Sequence, residues 1–514
     1  MGEKDKQTAG QDGPLVLALD AGTSSVRAML FDRQGHAVKD CTGQKHYRMN
    51  LTPDGGAEAD AAELVEHMAA AIDDALEQAG PLAKRIAGVG VSCFWHSLLA
   101  VDGAGRALTP VYSWADGRSA DAADQLRVEV DEGAVHDRTG CVIHASYWPA
   151  KLRWLQGTQA QVVKRAARWC GFGEYLLGRF TGGDGCSVAM ASGTGLLNQH
   201  TADWDQPMLD LLGLRPDHLP PLVDRDEALP RLTDEWAGRW PALAEAAWYP
   251  AVGDGVCNNV GSGCVTPTRL ALSIGTSGVM RVVIATKDVE IPPKLWCYRL
   301  DRRRFVLGGA LSNGGVVADW LHTTLRLPDD AAEQVAAQRP DSHGLTVLPY
   351  LAGQRTPDWN PRSRASILGL TLDTTPVAIA RAGLEAVAYR FALVHELLRP
   401  LAADGYQIIV SGGAIAHWPV WPQIIADAIG RPLVASAEPE ASARGAALLA
   451  LDALDLIPGL EDTPAPLGET YTPDERNYPI YQRARARLEH FHDLLQPELS
   501  GATPPKTEHL AAKN

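Results

Sequence analysis

The sequence contains no CxxC pair. Its eight cysteines (Cys41, Cys93, Cys141, Cys170, Cys186, Cys257, Cys264 and Cys297) are scattered over 514 residues, so neither a zinc knuckle nor a dithiol redox motif is present. Several lie in apolar runs and read as small core residues of a reducing compartment. Basic residues are in deficit: 47 Lys and Arg against 62 Asp and Glu leave a formal net charge of −15. That balance argues against a nucleic-acid binder working through a basic face. The one basic cluster, Arg302-Arg303-Arg304, sits between two apolar runs and reads as a solvated hairpin turn. No apolar run reaches membrane-spanning length. The opening MGEKDKQTAGQDG lacks the hydrophobic stretch of a signal peptide. The expectation is therefore a cytoplasmic protein without membrane or nucleic-acid partners. No GxxxxGK[ST] occurs, and the nearest approach to GxGxxG, the segment starting at Gly261, fails at its last glycine. Both common phosphate-binding fingerprints are thus excluded.

What is present is a repeat. LALDAGTSSVRAMLFD begins at Leu17 and LALSIGTSGVMRVV at Leu270. Each is a buried strand, a short Gly/Thr/Ser break and a second strand. Two loops of one design, half a chain apart, point to an internal duplication. A chain of 514 residues also exceeds one core and favours two large domains. The expected organisation is an α/β chain with a tail over 1–13, an N-terminal domain over 14–253, a C-terminal domain over 254–495 and a tail over 496–514, both tails disordered. Within it, the spacing predicts helices over 60–78, 376–398 and 441–453 and a buried strand over 86–95. Pro376 falls at a first helical turn, where its missing N–H costs nothing.

The loops suggest chemistry. Gly-rich turns after strands leave backbone N–H groups free to cradle anionic oxygens, and Thr and Ser add hydroxyls. Two such loops suit the phosphate tail of a nucleotide. Asp20, closing the first strand, suits a hydrated Mg²⁺, which favours one or two carboxylates plus phosphate oxygens. Asp254, in AVGDGVCNNVGSG, suits a base that takes a proton from a hydroxyl attacking a phosphorus atom. Ser411-Gly412-Gly413-Ala414 follows a strand and allows close approach of a nucleotide.

Together, DAGTSSVR, WADGRS, GDGVCNNVG, SIGTSG, LSNGG, GQRTPDWNP, SGGAIAHWPVWPQIIAD and EASARGAALLA, spread over residues 15–495, resemble the FGGY family of carbohydrate kinases. This family belongs to the actin/hexokinase/Hsp70-like ATPase superfamily. The resemblance implies two RNase H-like domains flanking a cleft, with Mg-ATP and a sugar as ligands and, commonly, a homodimer. It implies a first phosphate loop at Asp20, Gly22, Thr23 and Ser24, with Arg27 nearby, and a second at Gly275, Thr276 and Ser277. Asp254 becomes the catalytic base, and Gly412, Gly413 and Ala414 the adenosine motif. Asn313, Gly314 and Gln423 lie beside the nucleotide.

Within the family, WHS, WADGRS, RTGCVIH, YWPAKLRW and GFGEYLLGRF resemble the gluconokinase branch. That implies D-gluconate as acceptor, with Trp95, His96, Trp114, Asp116, Arg118, His144 and Asp254 near it. The chain departs from the branch at Trp95, where a small flexible residue is usual, and at Ala145, where Pro is usual. It departs again at Gly353-Gln354-Arg355 and Ser363-Arg364-Ala365. A pentulose, a tetritol or another aldonate remains an alternative acceptor. A catalytically silent sugar sensor and a chaperone- or filament-type ATPase are the alternatives in kind.

Overall fold

The computed structural model describes residues 13–414 and 418–500. Residues 1–12 of the expected N-terminal tail and 501–514 of the C-terminal one lie outside this range, as do Ile415, Ala416 and His417 of the adenosine motif.

The chain starts with β1 (Leu15–Ala21), β2 (Ser25–Phe31) and β3 (Ala37–His46). Almost every residue of β1 and β2 is buried, so these strands read as continuous apolar runs rather than alternating ones. Helix α1 (Ala61–Ala79) is capped by Asp60, whose carboxylate accepts from the N–H groups of Ala62 and Glu63. Strand β4 (Ile86–Cys93), helix α2 (Trp148–Thr158), strands β5 (Ala247–Trp248) and β6 (Val252–Gly253), and helix α3 (Asp254–Gly261) follow. The sheet order is β5-β4-β1-β2-β3, with β6 also pairing with β4. β1 and β2 are antiparallel, whereas β5, β4, β6 and β1 are mutually parallel along their pairings.

The second half starts the same way. β7 (Arg269–Ile274) and β8 (Gly278–Ala285) form an antiparallel hairpin. β9 (Trp296–Arg299) and β10 (Arg304–Leu311) flank the Arg302-Arg303 turn. Helices α4 (Gly315–Thr324) and α5 (Pro376–Leu398), strand β11 (Gln407–Ser411), helix α6 (Trp421–Ile429) and strand β12 (Leu433–Ser436) follow. Helix α7 (Ala441–Ala453), strand β13 (Leu467–Tyr471) and helix α8 (Tyr478–Leu499) end the described chain. The order in this sheet is β9-β10-β8-β7-β11-β12-β13. β7 pairs antiparallel with β8 on one side and parallel with β11 on the other. β1 does the same with β2 and β4, so the repeat read from the two loops is a repeat of strand topology.

By internal contacts the chain divides into two units. Among the described residues, one holds 13–266, 283–307 and 437–466; the other holds 267–282, 308–414, 418–436 and 467–500. A single cut at 253/254 does not coincide with this division: residues 254–266 stay with the first unit, and 283–307 and 437–466 return to it. Helix α7 packs on α3 without room for side chains: a Cβ on Gly261 would lie 1.8 Å from the Ala441 carbonyl oxygen, and one on Gly445 1.8 Å from that of Cys257. Arg444, almost fully buried, fixes this packing by donating to the carbonyls of Gly35 (3.0 Å), Gly261 (2.7 Å), Thr463 (3.3 Å) and Pro464 (3.1 Å). At the other end, α8 continues through Pro497 to Leu499, four residues into the expected tail. Gln496 there exchanges side-chain hydrogen bonds with the Arg364 backbone. All eight cysteines are buried and unbridged. Among the described residues no helix is long and apolar enough to cross a membrane.

Candidate active site

In the first unit, three strands end at one edge of the sheet. Asp20 is in register with Ser92, near the end of β4, and Ser92 is in register with Val252 of β6. Asp254 follows β6 directly and opens α3. The carboxyl ends of parallel strands are where α/β sheets bind ligands.

Asp20 is held in an unfavourable state. Burial pushes its carboxyl up to about 6; the Ser92 hydroxyl opposes this, the Asp254 carboxylate adds to it, Arg27 opposes it and Glu440 adds. Arg27 donates to Glu440 at 2.6 Å. Asp254 accepts from the N–H of Gly255 at 2.7 Å. A desolvated carboxylate that feels a second one is relieved by a divalent cation, so this donor set fits Mg²⁺.

The turn after β1 is fixed from both sides. The Gly22 N–H donates to the Ser25 carbonyl at 3.0 Å, the Tyr47 hydroxyl donates to the Gly22 carbonyl at 2.6 Å, and the Tyr47 N–H donates to the Ser24 carbonyl at 3.1 Å. The N–H groups of Thr23 and Ser24 engage no acceptor among the described residues, which leaves them for an anion.

Trp95 is 6 % exposed and donates its indole N–H to the Ala189 carbonyl at 3.2 Å. Its ring lies flat on Gly253: a Cβ there would come within 2.0 Å of the indole. Tyr298 packs edge-on at 4.8 Å and stacks on Trp296 at 4.3 Å. The hydroxyls of Tyr298 and Tyr147 are 2.7 Å apart. His96, at φ +66°, bonds through Nδ1 to the Gly193 carbonyl and packs edge-on against Tyr147 at 5.0 Å.

The remaining acceptor-side candidates form a second group. Asp116 is buried and accepts from the Ala57 N–H (3.0 Å) and from the backbone and guanidinium of Arg118. Arg118 also reaches Glu58 at 2.5 Å and lies over the rings of Tyr112 and Trp154. Its fork is therefore engaged within the protein. His144 accepts from the Ser146 N–H at 3.1 Å, and Trp114 is 36 % exposed.

Behind them is Lys151, on helix α2. Its ammonium donates to the carbonyls of Ala145 (2.9 Å) and Ser146 (2.6 Å). Burial pulls it down to about 7, against the pull of Asp116. Ser119 donates to the same Ala145 carbonyl at 3.1 Å, so the segments carrying Arg118 and His144 meet there. Lys151 carries no periodic signal, because its neighbours on α2 alternate between apolar and charged residues. Tyr147 lies in the YWPAKLRW segment, whereas Trp296 and Tyr298 come from a distant part of the chain and join it only in the fold, so no local pattern marks the three as a group.

The second unit carries the other loop. The turn Gly275–Ser277 is closed by Gly275 N–H to the Ser277 carbonyl at 3.0 Å. The first turn of α4 docks on it: Gly315 and Val316 donate to the carbonyls of Gly275 (2.7 Å) and Thr276 (3.0 Å). Gly314 is needed for this docking, since a Cβ would lie 2.5 Å from the Ser277 backbone. Thr276 and Ser277 keep their N–H groups free of acceptors among the described residues. Gly412 stands at φ +110°, and a Cβ would lie 2.2 Å from the Ile274 carbonyl oxygen. The motif Gly412, Gly413, Ala414 is thus brought against this loop, and a Cβ on Gly315 would lie 2.8 Å from that of Ala414. Asn313 bonds through its side chain to the backbone of Ala352 and Gly353. Gln423 is tied to Asp427 and the Thr472 carbonyl, both at 2.8 Å.

Among the described residues, the one group of three or more closely spaced ligand-type side chains is Asp341, His343 and Glu385. Arg381, His343, Tyr389 and Tyr481 all bond to Glu385, and Arg487 pairs with Asp341, so it reads as a buried ion network.

Residues 15–261 match the model for the FGGY family of carbohydrate kinases, N-terminal domain, and residues 270–454 that for the C-terminal domain. The chain is 31% identical over 484 residues to a gluconokinase of Bacillus subtilis (strain 168), covering 91% of this chain and 93% of that protein. A gluconate kinase from Lactobacillus acidophilus superposes with a TM-score of 0.87 at 26% identity, covering 95% of this chain and all of that one. A ligand-bound xylulose kinase from the same organism has the same TM-score, identity and coverage of this chain.

Proposed function

The chain belongs to the FGGY family of carbohydrate kinases and is an ATP-dependent sugar kinase; from that premise we propose that it phosphorylates D-gluconate to 6-phosphogluconate. The observation that carries the proposal is Asp254 at the end of β6, next to the indole-covered Gly253 and within the field of the desolvated Asp20.

Asp254 accepts the proton of the acceptor's primary hydroxyl as that oxygen attacks the γ-phosphorus. The O–P bond to the acceptor forms, the bond to ADP breaks, and the proton leaves on the carboxylate. The N–H groups of Thr23 and Ser24 stabilise charge on phosphoryl oxygens, and those of Thr276 and Ser277 offer the same donors to phosphate oxygens in the second unit. Asp20 would hold Mg²⁺, which would supply positive charge that offsets the phosphates. Gly412, Gly413 and Ala414 accept the adenosine. Trp95, Tyr147 and His96 wall the acceptor, and Asp116, Arg118, His144 and Trp114 shape the region behind it. Likeness to gluconate kinases in sequence and in structure supports the acid as acceptor.

The likeness to a xylulose kinase favours a pentulose as the competing reading. A coupled ADP-release assay with Mg-ATP, offering gluconate, other aldonates, D- and L-pentuloses, erythritol and glycerol, decides between them. Preference for gluconate is expected; preference for a pentulose or a neutral polyol overturns the acceptor while keeping the chemistry. Asp254→Asn should bind nucleotide but lose at least about a hundredfold in turnover. Near-normal turnover would remove Asp254 from the role of base.

A further inference from the structure

In the second unit, three guanidiniums converge where β11 begins. A cavity of about 450 Å³ is lined there by Arg399, Arg431 and Arg485, with His395, Tyr406 and Tyr478. Arg399 follows α5, Arg431 follows the left-handed Gly430 after α6, and Arg485 sits on α8. An arginine past a helix end is favoured by the helix dipole. That accounts for Arg399 and Arg431 singly, but not for Arg485 or for their meeting at one cavity. Arg485 is paired with Glu396 at 2.7 Å and Glu489 at 3.3 Å. Arg431 lies over the Tyr406 ring at 4.5 Å. Neither Arg399 nor Arg431 has a carboxylate partner within ion-pair distance among the described residues.

His395 reports the field. It is buried, with Nε2 at 2.6 Å from the Tyr406 hydroxyl. Burial first, and then Arg431, Arg399 and Arg485, pull its imidazole down to about 4. The imidazole therefore stays neutral at pH 7, and the opposing acids lining the cavity are Glu396 and Asp404.

We propose that this cavity binds a phosphate-bearing small molecule, gripped by the forks of Arg399 and Arg431. A guanidinium presents two parallel N–H donors that match two oxygens of one phosphate. The volume suits a ligand of sugar-phosphate size. The site is separate from the nucleotide motif: β11 starts at Gln407 beside the cavity and ends at Ser411 before Gly412, roughly 15 Å away at the rise of a strand.

The test uses the full chain with its nucleotide loops filled by saturating Mg-ADP. Inorganic phosphate is titrated while the His395 ring is followed by NMR, assigned from the signal lost in His395→Gln. A saturable change is expected, with the imidazole pKa rising as the bound phosphate anion offsets the guanidiniums. Gluconate at the same concentration should leave the ring unchanged. The variant Arg399→Gln/Arg431→Gln should weaken phosphate binding at least tenfold and leave Mg-ADP affinity unaltered. No saturable change at His395 overturns the proposal, as does a double variant that binds phosphate like the parent or a ring that responds equally to gluconate. If the double variant does not fold, the titration of the parent chain decides alone.

Discussion

Replacing Gly253 by alanine sets the packing beside Asp254 against its chemistry. The added Cβ would lie 2.0 Å from Cε2 and 2.3 Å from Nε1 of Trp95. Carbon atoms in contact rest about 3.5 Å apart, so ring and strand must separate by roughly 1.5 Å. The ring has little freedom to move. Its N–H is bonded to Ala189, Tyr298 and Trp296 pack on its edges, and Gly193 leaves no gap behind it. Overfilling of this kind costs about 1–3 kcal/mol. Because Asp254 is the next residue, the strand's share of the movement displaces the carboxylate, and a shift near 1 Å costs roughly a hundredfold in rate. Urea denaturation and the coupled ADP-release assay would measure both effects. Trp95→Met alone should also destabilise, through the cavity it leaves. Combined with Gly253→Ala, it should recover part of both losses, with a coupling of at least about 1 kcal/mol. A Gly253→Ala protein matching the parent in stability and rate would refute this account of the site, as would a double variant whose losses simply add.

Asp20 makes stability depend on acidity. Its folded value of about 6 lies above its ordinary 3.8, so the ionised form is the costly one; the penalty is absent below about 3.8 and complete above about 6. In cation-free protein, Asp20→Asn should therefore be the more stable chain at pH 7 by at most about 3 kcal/mol, and the gap should close on acidification through this window, as read by chemical denaturation. A gap independent of pH would show that Asp20 is not desolvated. Gly412→Ala meets both a left-handed φ and a backbone carbonyl 2.2 Å away. It should cost several kcal/mol and abolish nucleotide binding in calorimetry before it affects the first unit. Arg444→Met leaves four carbonyls without their donor and should destabilise by about 3 kcal/mol or more; a thermal midpoint within a degree of the parent would contradict its role as a clamp.

Much of the architecture was legible because it is local. Helix α5 starts at Pro376 with Thr375 as its cap, and α7 spans its Ala-rich run, as the spacing of apolar residues implies. The two hairpins were visible because the same turn chemistry occurs twice. What the sequence could not reveal was non-local. The return of α7 to the first unit depends on Gly261 and Gly445 meeting across 183 residues of chain, and glycines carry no periodic signal. The extension of α8 past Pro497 depends on Gln496 meeting Arg364. At the site, the acids and loops stood out by residue type and order. Lys151 did not, because its significance comes from burial beneath two carbonyls. Arg118 is implied by the family resemblance alone, and burial shows what its residue type does not: Asp116 and Glu58 already engage its guanidinium.

The matched hairpins carry a broken symmetry. Asp20 faces Ser92 across β1 and β4, and Ser273 faces Ser411 across β7 and β11, in the same place of each frame. In the second copy the two hydroxyls simply meet at 3.0 Å; in the first, one of them is replaced by a charge. The same strand-end position therefore presents a carboxylate in one copy and a pair of hydroxyls in the other, so the duplicated hairpins are not interchangeable: only the first offers a negative charge to a cation.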